Sequence, residues 1–355
     1  MTSFAIFDIV SSMATLRDVA RHVGLSVATV SRALSGHPHV DEGTRRRIHA
    51  AAREIGYQPN ALARALRQSR TKTVGLIIPD ILNDFYAESA TVLQHELEQH
   101  GYRLILCISN SDPETDRSYL RTLVEHRVDA IVHVPCTPEG GLGATRPPKP
   151  IPVVELLRHS KRDDCDAVVT DDREGAAALT RHLTELGHRS IAMITGSAAF
   201  STTRYRAQGY RDALHAAGIA PERARILYGD YSRSFGYEAT LQLMRAASRP
   251  TAIFSSGSPL TLGVLSALKE LRIAIPTDVS LVCYEDPEWY AAQDPPLTCY
   301  ALPLREMGRV AAQLVVKRLS GSGGTDAPRV MRFPGRLVVR ESTAPAPALT
   351  GSRGI

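Results

Sequence analysis

Short apolar runs alternate with amphipathic helical patterns from Thr73 onward. The apolar runs are four or five residues long and lie at 74–78, 103–107, 130–134, 190–194, 251–254 and 279–283. Helical periodicity fills the intervals near 85–100, 115–126, 174–187, 203–217, 234–247 and 259–271. Strands that alternate with helices in this way predict parallel sheets covered by helices on both faces.

A Pro- and Gly-rich stretch at 135–152 divides this alternation into two successive halves. The sequence therefore predicts an α/β core of two Rossmann-like lobes. In such folds a ligand binds near the carboxyl ends of the strands, here in the cleft between the lobes.

The segment before this core has a different pattern, that of three short helices within 15–58. Thr15 and Asp18 have the spacing of a capping box, and the next apolar positions follow helical periodicity. Gly24 is expected to end the first helix and Ser26 to cap the second. Two helices joined by so short a turn form a helix-turn-helix. The apolar face of the first helix is predicted to hold Leu16, Val19, Ala20 and Val23.

The second helix of this motif separates its two faces. Val30 and Leu34 are expected to point toward the first helix, whereas Ala28, Ser31 and Arg32 point away, with Val27 at the edge of the outer face. Residues near the start of such a helix contact base edges in the major groove. A third helix is expected to begin near Asp41, to bury Ile48 and Ile55, and to leave the arginines at 45–47 for phosphates or solvent.

The positive charge of the chain is concentrated in this N-terminal segment. The whole chain carries a net charge of +5, and residues 13–72 hold eleven Arg or Lys against four Asp or Glu. A basic module joined to a nearly neutral domain is typical of phosphate-backbone binding. A small helical bundle with solvated arginines is the alternative for the same residues.

The run TLRDVARHVGLSVATVSRALSGHPHVDEGTRRRIHAAAREIGYQPNALARALR closely resembles the N-terminal region of lactose-repressor/galactose-repressor (LacI/GalR) family regulators. GYRLILC, TELGHRSIAMITG and PPLTCYALPLREMGRVAAQLV extend the likeness to roughly 14–342. The resemblance implies an N-terminal all-α helix-turn-helix domain and an α/β periplasmic-binding-protein-like core. It implies a homodimer that binds a pseudo-palindromic operator in double-stranded DNA and responds to a small-molecule effector, a carbohydrate or related metabolite. No cofactor is expected.

The domain boundaries predicted on this basis cover the whole chain. Residues 1–12 form a disordered extension, so that Met13 is an alternative start, and 343–355 form a disordered tail without the leucine heptads of a tetramerisation helix. The intervening domains are a helix-turn-helix at 13–58, a hinge helix or linker at 59–72, a first lobe at about 73–163 and 299–328, and a second lobe at about 164–298 and 329–342.

The resemblance assigns DNA contacts by position. Val27, Ala28 and Arg32 occupy the base-reading positions, where Arg can bind guanine and Val or Ala can touch a thymine methyl. The positions that contact the DNA backbone in the family are held by Thr15, Ser26, Thr29, Ser31, His39, Thr44 and Asn60.

Residues 60–68 have helical composition but are too short to form a stable helix alone in water. By resemblance they are the hinge helix, which folds when two protomers meet over the minor groove. Leu66 then inserts between base pairs, and Ala63 allows the two helices to approach closely. A plain flexible linker is the alternative. Effector binding is expected to change the angle between the lobes and thereby the order of the hinge helices.

The effector positions are also assigned by resemblance. Arg206 is the leading candidate, because a guanidinium binds vicinal hydroxyls or a carboxylate in fixed geometry. Ordinary packing is the alternative for every member of the set. The positions that line the cleft in the family are held by Phe85, Tyr86, Thr202, Arg206, Tyr231 and Glu285.

Three carboxylate positions depart from the family pattern. Leu157 stands where many members carry aspartate, Gly257 and Ser258 replace an Asn-Asp pair, and Glu285 lengthens a usual aspartate. Lost hydrogen bonds of this kind are worth about 1 kcal/mol each, and more when charged. We therefore expect an effector other than a typical free hexose, or weak or absent effector binding.

Other classes of protein are disfavoured by the sequence. A two-lobed solute-binding protein requires an export signal and lacks a DNA module, and a nucleotide-dependent enzyme requires a phosphate-binding motif that is not found. The five cysteines have no metal-ligand spacing, so buried free thiols are expected. A cytoplasmic, nucleoid-associated, non-enzymatic regulator is predicted.

Overall fold

A computed structural model describes residues 14–34, 39–57, 70–140, 151–321 and 327–347. The chain divides into two compact units, Met1–Thr71 and Lys72–Ile355. The division falls one residue before the predicted start of the core. Residues 59–69 of the predicted hinge, the first twelve residues and residues 348–355 of the predicted tail lie outside the described residues.

The N-terminal unit contains three described helices. Asp18 accepts a 2.9 Å hydrogen bond from the backbone N–H of Thr15, while the Thr15 hydroxyl accepts one from the Asp18 N–H, which confirms the capping box. Gly24 adopts a left-handed φ of 68° and ends the first helix as predicted. The helices are α1 (Leu16–Val23), α2 (Val27–Leu34) and α3 (Glu42–Glu54).

A small apolar core joins these helices, formed by Val19 and Ala20 of α1, Val30 and Ala33 of α2, and Ile48 and Ala52 of α3. The prediction for Ser31 is wrong, because its side chain is buried with a 9% exposed fraction. Ser31 follows the fully buried Val30 by one helical position, which places it at the border of the buried face of α2. Ile55 is half-buried and packs at the edge of this core.

The first lobe is built on a six-stranded parallel sheet covered by helices on both faces. The strand order is β11-β5-β4-β3-β1-β2, with apolar side chains of α4 and α11 packed against the strands. The strands are β1 (Thr73–Ile78), β2 (Arg103–Ile108), β3 (Ala130–His133), β4 (Val153–Leu157), β5 (Asp166–Thr170) and β11 (Val330–Phe333). The helices are α4 (Asp84–Gln99), α5 (Pro113–Glu125) and α11 (Leu304–Leu319).

The second lobe repeats this plan. Its sheet has the order β12-β10-β9-β8-β6-β7, and only β12 is antiparallel to its neighbour among the described strands. The strands are β6 (Ile191–Thr195), β7 (Arg225–Tyr228), β8 (Ala252–Ser255), β9 (Ser280–Tyr284), β10 (Thr298–Ala301) and β12 (Arg336–Val338). The helices are α6 (Asp172–Glu185), α7 (Ser201–Ala216), α8 (Arg233–Arg245), α9 (Ser258–Glu270) and α10 (Glu288–Ala291), with a 3-10 turn at Pro221–Arg223.

The chain passes between the lobes three times, after β5, after β10 and after β11. The two Rossmann-like lobes are confirmed, but the predicted crossing points are displaced. β5 and β11 pair in the first sheet, and β10 pairs in the second. The boundaries at 163/164, 298/299 and 328/329 are therefore wrong by several residues. At each crossing the chain leaves a lobe only after its last strand there, β5, β10 or β11, has paired with the sheet of that lobe.

The prediction of a disordered tail is wrong for residues 343–347. The Thr343 hydroxyl lies 3.0 Å from Nε2 of His182, and the backbone N–H of Ala346 donates a 2.8 Å hydrogen bond to Leu186. Nε2 of His188 lies 3.0 Å from the carbonyl oxygen of Ala344. These contacts fasten the segment to the second lobe.

The five cysteines are free thiols, as predicted, although Cys107 is only half-buried. Burial raises the pKa of Cys136 and of Cys165 to about 12, so these thiols are poor nucleophiles at neutral pH. No helix in the described part of the chain is long and apolar enough to cross a membrane.

Candidate DNA-reading and effector sites

The outer face of α2 presents the three predicted base-reading residues to solvent. Val27 is 42% exposed although it is apolar, and Ala28 and Arg32 are exposed beside it. On the opposite face Val30 is fully buried and Leu34 is partly buried against the small apolar core. The helix is thereby fixed by its inner face and free to contact a ligand along its outer face.

Two of the predicted backbone-contacting residues, Thr15 and Ser26, also cap helices, and Thr44 is itself capped by Asp41. The Thr15 hydroxyl donates a 2.6 Å hydrogen bond to Asp18. Oγ of Ser26 accepts a 3.1 Å bond from the N–H of Thr29, which confirms the predicted cap of α2. The N–H of Thr44 donates to Asp41 at 2.9 Å. Caps of this kind stabilise helix starts by about 1 kcal/mol and leave other helix N–H groups for phosphate oxygens.

Two of the remaining predicted DNA contacts lie in the described part of the chain and three do not. His39 is exposed, whereas Ser31 is buried. The hinge positions Asn60, Ala63 and Leu66 lie outside the described residues.

Arg206 lies near the cleft and makes an extensive set of contacts within the second lobe. Nε donates a 2.7 Å hydrogen bond to Asp172, and Nη1 donates a 2.6 Å bond to the carbonyl oxygen of Ser256. The guanidinium also stacks 3.8 Å from the ring centroid of Tyr284. Burial opposes the charge, but Asp172 and other nearby groups raise the pKa of Arg206 well above its ordinary value. Arg206 is therefore a fixed cation.

Tyr231 occupies a slot that two glycines create. A Cβ on Gly196 would collide with its ring, and one on Gly257 would lie 3.1 Å from it. The ring stacks on Phe200 with centroids 6.3 Å apart, and its hydroxyl lies 3.2 Å from that of Thr203. The missing side chain at Gly257, a departure noted in the sequence, thus gives room to the aromatic ring.

Glu285 is committed largely to the protein itself. Its Oε2 accepts a 2.9 Å hydrogen bond from the N–H of Ser258 at the start of α9, where Gly257 offers no capping side chain. The hydroxyl of Ser258 donates a 3.2 Å bond to Asn83 of the first lobe. Burial raises the pKa of Glu285, and Arg206 partly offsets this effect. The hydrogen bond between Ser258 and Asn83 thus joins the two lobes at the predicted site.

The position of the lost aspartate faces the core. Leu157 is 2% exposed and belongs to the apolar cluster of the first lobe, so it offers no polar group to the cleft. Its backbone has a φ of 66°, a left-handed conformation that costs a residue of this type about 1–2 kcal/mol. The next residue, Arg158, turns toward the second lobe and stacks 3.8 Å from the ring centroid of Phe200.

Phe85, Tyr86 and Thr202 complete the predicted effector set. Phe85 and Tyr86 lie in the first turn of α4 with rings 5.2 Å apart, and Thr202 lies in the first turn of α7; all three are buried. Phe85 and Glu285 also line a cavity of about 390 Å³ at the edge of the cleft where the chain crosses between lobes. That cavity has no wall from Arg158 or Arg206, so it adjoins the predicted site rather than containing it.

Sequence reasoning missed several residues of this site. Asp172, Arg158, Phe200 and Asn83 were not predicted, yet all four contact predicted positions or the facing lobe. Arg158 and Asp172 each follow the end of a strand, which is the signal that could have identified them. No cluster of three His, Cys, Asp or Glu side chains suited to a metal ion occurs among the described residues.

A basic helix-turn-helix joined to a two-lobed α/β domain defines a DNA-binding regulator with a ligand-binding core. Comparison with known proteins agrees with this class. Residues 15–60 match the model of bacterial regulatory proteins of the lacI family, and residues 180–343 match the periplasmic binding protein-like domain. The chain belongs to the LacI family of transcriptional regulators, and the predicted fold and DNA-binding function are confirmed.

Individual relatives extend over nearly the whole chain. The HTH-type transcriptional repressor PurR of Yersinia pestis (strain Pestoides F) is 32% identical over 338 residues, which cover 94% of this chain and 98% of that protein. The transcriptional regulator CelR in complex with cellobiose is 29% identical, with a TM-score of 0.70, over 93% of this chain and 99% of that one. The lac repressor dimer bound to operator shares the fold, with a TM-score of 0.82 at 24% identity over 94% and 99% of the chains.

Proposed function

We propose that this protein represses transcription as a homodimer on a pseudo-palindromic operator, under the control of a small molecule bound between its lobes. Val27, Ala28 and Arg32 read bases, and the helix starts of the N-terminal unit contact phosphates. The helix-turn-helix spans 13–58 and the hinge 59–72. One observation supports this assignment above the others. It is the exposure of the three residues on one face of α2, whose opposite face is packed.

The homodimer is supported by an exposed apolar edge on the first lobe. Strand β2 lies at the edge of its sheet, and Ile105 and Leu106 are 39% and 42% exposed there. Unpaired edge strands with apolar side chains favour association with a further chain. A second copy of this protein accounts for both the edge and the two half-sites of a pseudo-palindrome.

The effector is a small polar metabolite, and a sugar or sugar derivative is the class favoured by the cellobiose complex of CelR. The loss of polar groups at Leu157 and Gly257 argues against a free hexose. Tight binding of an unmodified monosaccharide in a calorimeter would contradict this part of the proposal. The chain acts as a regulator rather than an enzyme and works at the nucleoid.

Base reading is tested with Arg32→Ala, using Arg53→Ala as a charge-matched control. Arg53 is exposed on α3 and donates a hydrogen bond to the carbonyl oxygen of His49. Binding sites are first selected from random duplexes with the wild-type protein, and affinities are then measured by gel shift at several salt concentrations. Arg32→Ala should lose discrimination at one base pair by about 1–3 kcal/mol, whereas Arg53→Ala should retain the sequence preference. A wild-type protein that binds random and selected duplexes equally would overturn the proposal.

A further inference from the structure

We propose that the effector carries an anionic group, a phosphate or a carboxylate, and that Arg158 binds this group in the cleft. The inference rests on the proposed effector site and assigns its chemical class. Arg158 belongs to none of the family positions identified from the sequence.

Arg158 is placed at the boundary between the two lobes. It follows β4 in the first lobe and is only 4% exposed. Its Cζ lies 3.8 Å from the ring centroid of Phe200 and 5.9 Å from that of Tyr231, and both aromatic residues belong to the second lobe. Beside it, the N–H of His159 donates a 3.1 Å hydrogen bond to Ser201, so the two lobes are in direct contact at this point.

The charge of Arg158 has no protein counter-ion in the described part of the chain. Its Nη1 is buried and donates to no described acceptor, and no described carboxylate lies within 4.0 Å of the guanidinium. Arg206 provides the contrast, because its charge is compensated by Asp172 at 2.7 Å. A buried charge without a partner is strongly unfavourable. An anionic ligand removes this penalty.

The geometry of Arg158 also suits an anion. Stacking on Phe200 occupies the flat face of the guanidinium and leaves its in-plane N–H groups as donors. Two parallel N–H groups match two oxygens of a carboxylate or phosphate. Leu157 beside it is apolar, and Oε2 of Glu285 is occupied by a hydrogen bond from the Ser258 N–H.

Nearby charges indicate where the ligand would lie. Burial raises the pKa of Tyr86, while the charges of Arg158 and Arg206 lower it and that of Glu285 raises it. Tyr231 lies between the two arginines: its ring centroid is 5.9 Å from Cζ of Arg158, and its hydroxyl is 3.5 Å from Nη1 of Arg206. A ligand with an anionic end at Arg158 and a polar body toward Arg206 fits this arrangement.

The experiment measures binding of matched neutral and anionic probes to the full-length protein by calorimetry and thermal shift. The pairs are ribose with ribose 5-phosphate, glucose with glucose 6-phosphate, and glucose with gluconate, and inorganic phosphate and sulfate are tested alone. The phosphate and gluconate arms distinguish the two anions. Wild type is compared with Arg158→Gln, Arg158→Lys and the control Arg309→Gln, which removes an exposed charge from α11.

At least one anionic probe is expected to bind wild type and Arg309→Gln, and its neutral partner is expected to bind at least tenfold more weakly. Arg158→Gln should weaken binding of the anionic probe by about 10- to 100-fold. Arg158→Lys should have an intermediate affinity, because lysine keeps the charge but lacks two parallel N–H groups. Circular dichroism establishes that the variants are folded.

Two results would overturn the inference. One is equal affinity of an anionic probe for wild type and Arg158→Gln, and the other is a panel in which only neutral sugars bind. The second result would still support an effector cleft, so the inference can fail while the proposed function stands. A wild-type protein that shows no sequence-specific DNA binding would instead contradict the proposed function itself.

Discussion

Arg206 and Asp172 form a buried ion pair, with Nε of the arginine 2.7 Å from Oδ1 of the aspartate and side chains only 4% and 3% exposed. The pair joins α7 to the start of α6. It therefore fixes the orientation of the guanidinium toward Ser256 and Tyr284. Such a pair contributes more to the shape of a site than to stability, because desolvation offsets most of the attraction.

Breaking this pair should destabilise the second lobe. Arg206→Met leaves Asp172 buried without its partner, so we expect the free energy of unfolding to fall by roughly 3–5 kcal/mol. Urea unfolding can be followed through Trp289, the single tryptophan of the chain, which packs 4.5 Å from Tyr290 in the same lobe.

The double variant Arg206→Met/Asp172→Asn is the control for that prediction. Removal of both charges should recover at least half of the loss, since no uncompensated charge remains. If the double variant loses as much free energy of unfolding as Arg206→Met and Asp172→Asn lose together, the two side chains do not act as a pair.

The slot around Tyr231 should be sensitive to a single methyl group. Gly196→Ala places a Cβ where the Tyr231 ring lies, so the ring must move away from Phe200. We expect a stability loss of about 1–3 kcal/mol, as for other overpacked sites, together with weaker effector binding.

Removing the Tyr231 ring tests whether the stability loss of Gly196→Ala comes from its clash with that ring. Gly196→Ala/Tyr231→Ala should be no less stable than Tyr231→Ala alone, because the added methyl then meets an empty slot. Tyr231→Phe, which keeps the ring and loses only the hydroxyl near Thr203, should stay within about 1 kcal/mol of wild type. A Gly196→Ala protein with wild-type stability and binding would show that the slot is not tight.

His188 should make stability depend on pH. Burial lowers the pKa of His188 from its ordinary 6.5, although the hydrogen bond to Ala344 partly opposes this. The unfolded chain therefore binds a proton at a higher pH than the folded one does. The contribution of neutral His188 to the free energy of unfolding is fully present above about pH 6.5. It is lost as the pH falls below that value, by at most about 1.4 kcal/mol per pH unit.

Thermal midpoints measured between pH 8 and pH 5 check this prediction. His188→Gln keeps polar groups near Thr251 and Ser280 but cannot titrate, so its midpoint should fall less steeply with acidification. His126→Gln, at an exposed surface position, should follow the wild-type curve. Identical slopes for His188→Gln and wild type would assign the acid sensitivity to other groups.

The sequence predicts six of the described strands, β1, β2, β3, β6, β8 and β9, and the six helices that follow strands along 85–271, because each carries a strong local signal. Val74, Leu76 and Ile78 lie in an apolar run, and the structure buries all three in the first lobe. Helix starts are equally local, since the cap at Thr15 depends on a residue only three positions away.

What the sequence could not supply is long-range. The pattern at 166–170 does not reveal which of two sheets accepts the strand, so the predicted boundary at 163/164 places β5 in the wrong lobe. The pairing of Arg206 with Asp172 and the stacking of Arg158 on Phe200 likewise join distant segments. A family resemblance assigns roles only to positions that match known ligand contacts, and Arg158 is at none of the effector positions assigned in this way.

Both lobes draw an edge strand from one short piece of chain near its C-terminal end, β11 for the first sheet and β12 for the second. During synthesis neither lobe can be completed until that piece has left the ribosome, even though all the other strands are already made. A frameshift or stop codon shortly before 330 would consequently damage the two lobes together. Such late lesions should behave genetically like null alleles.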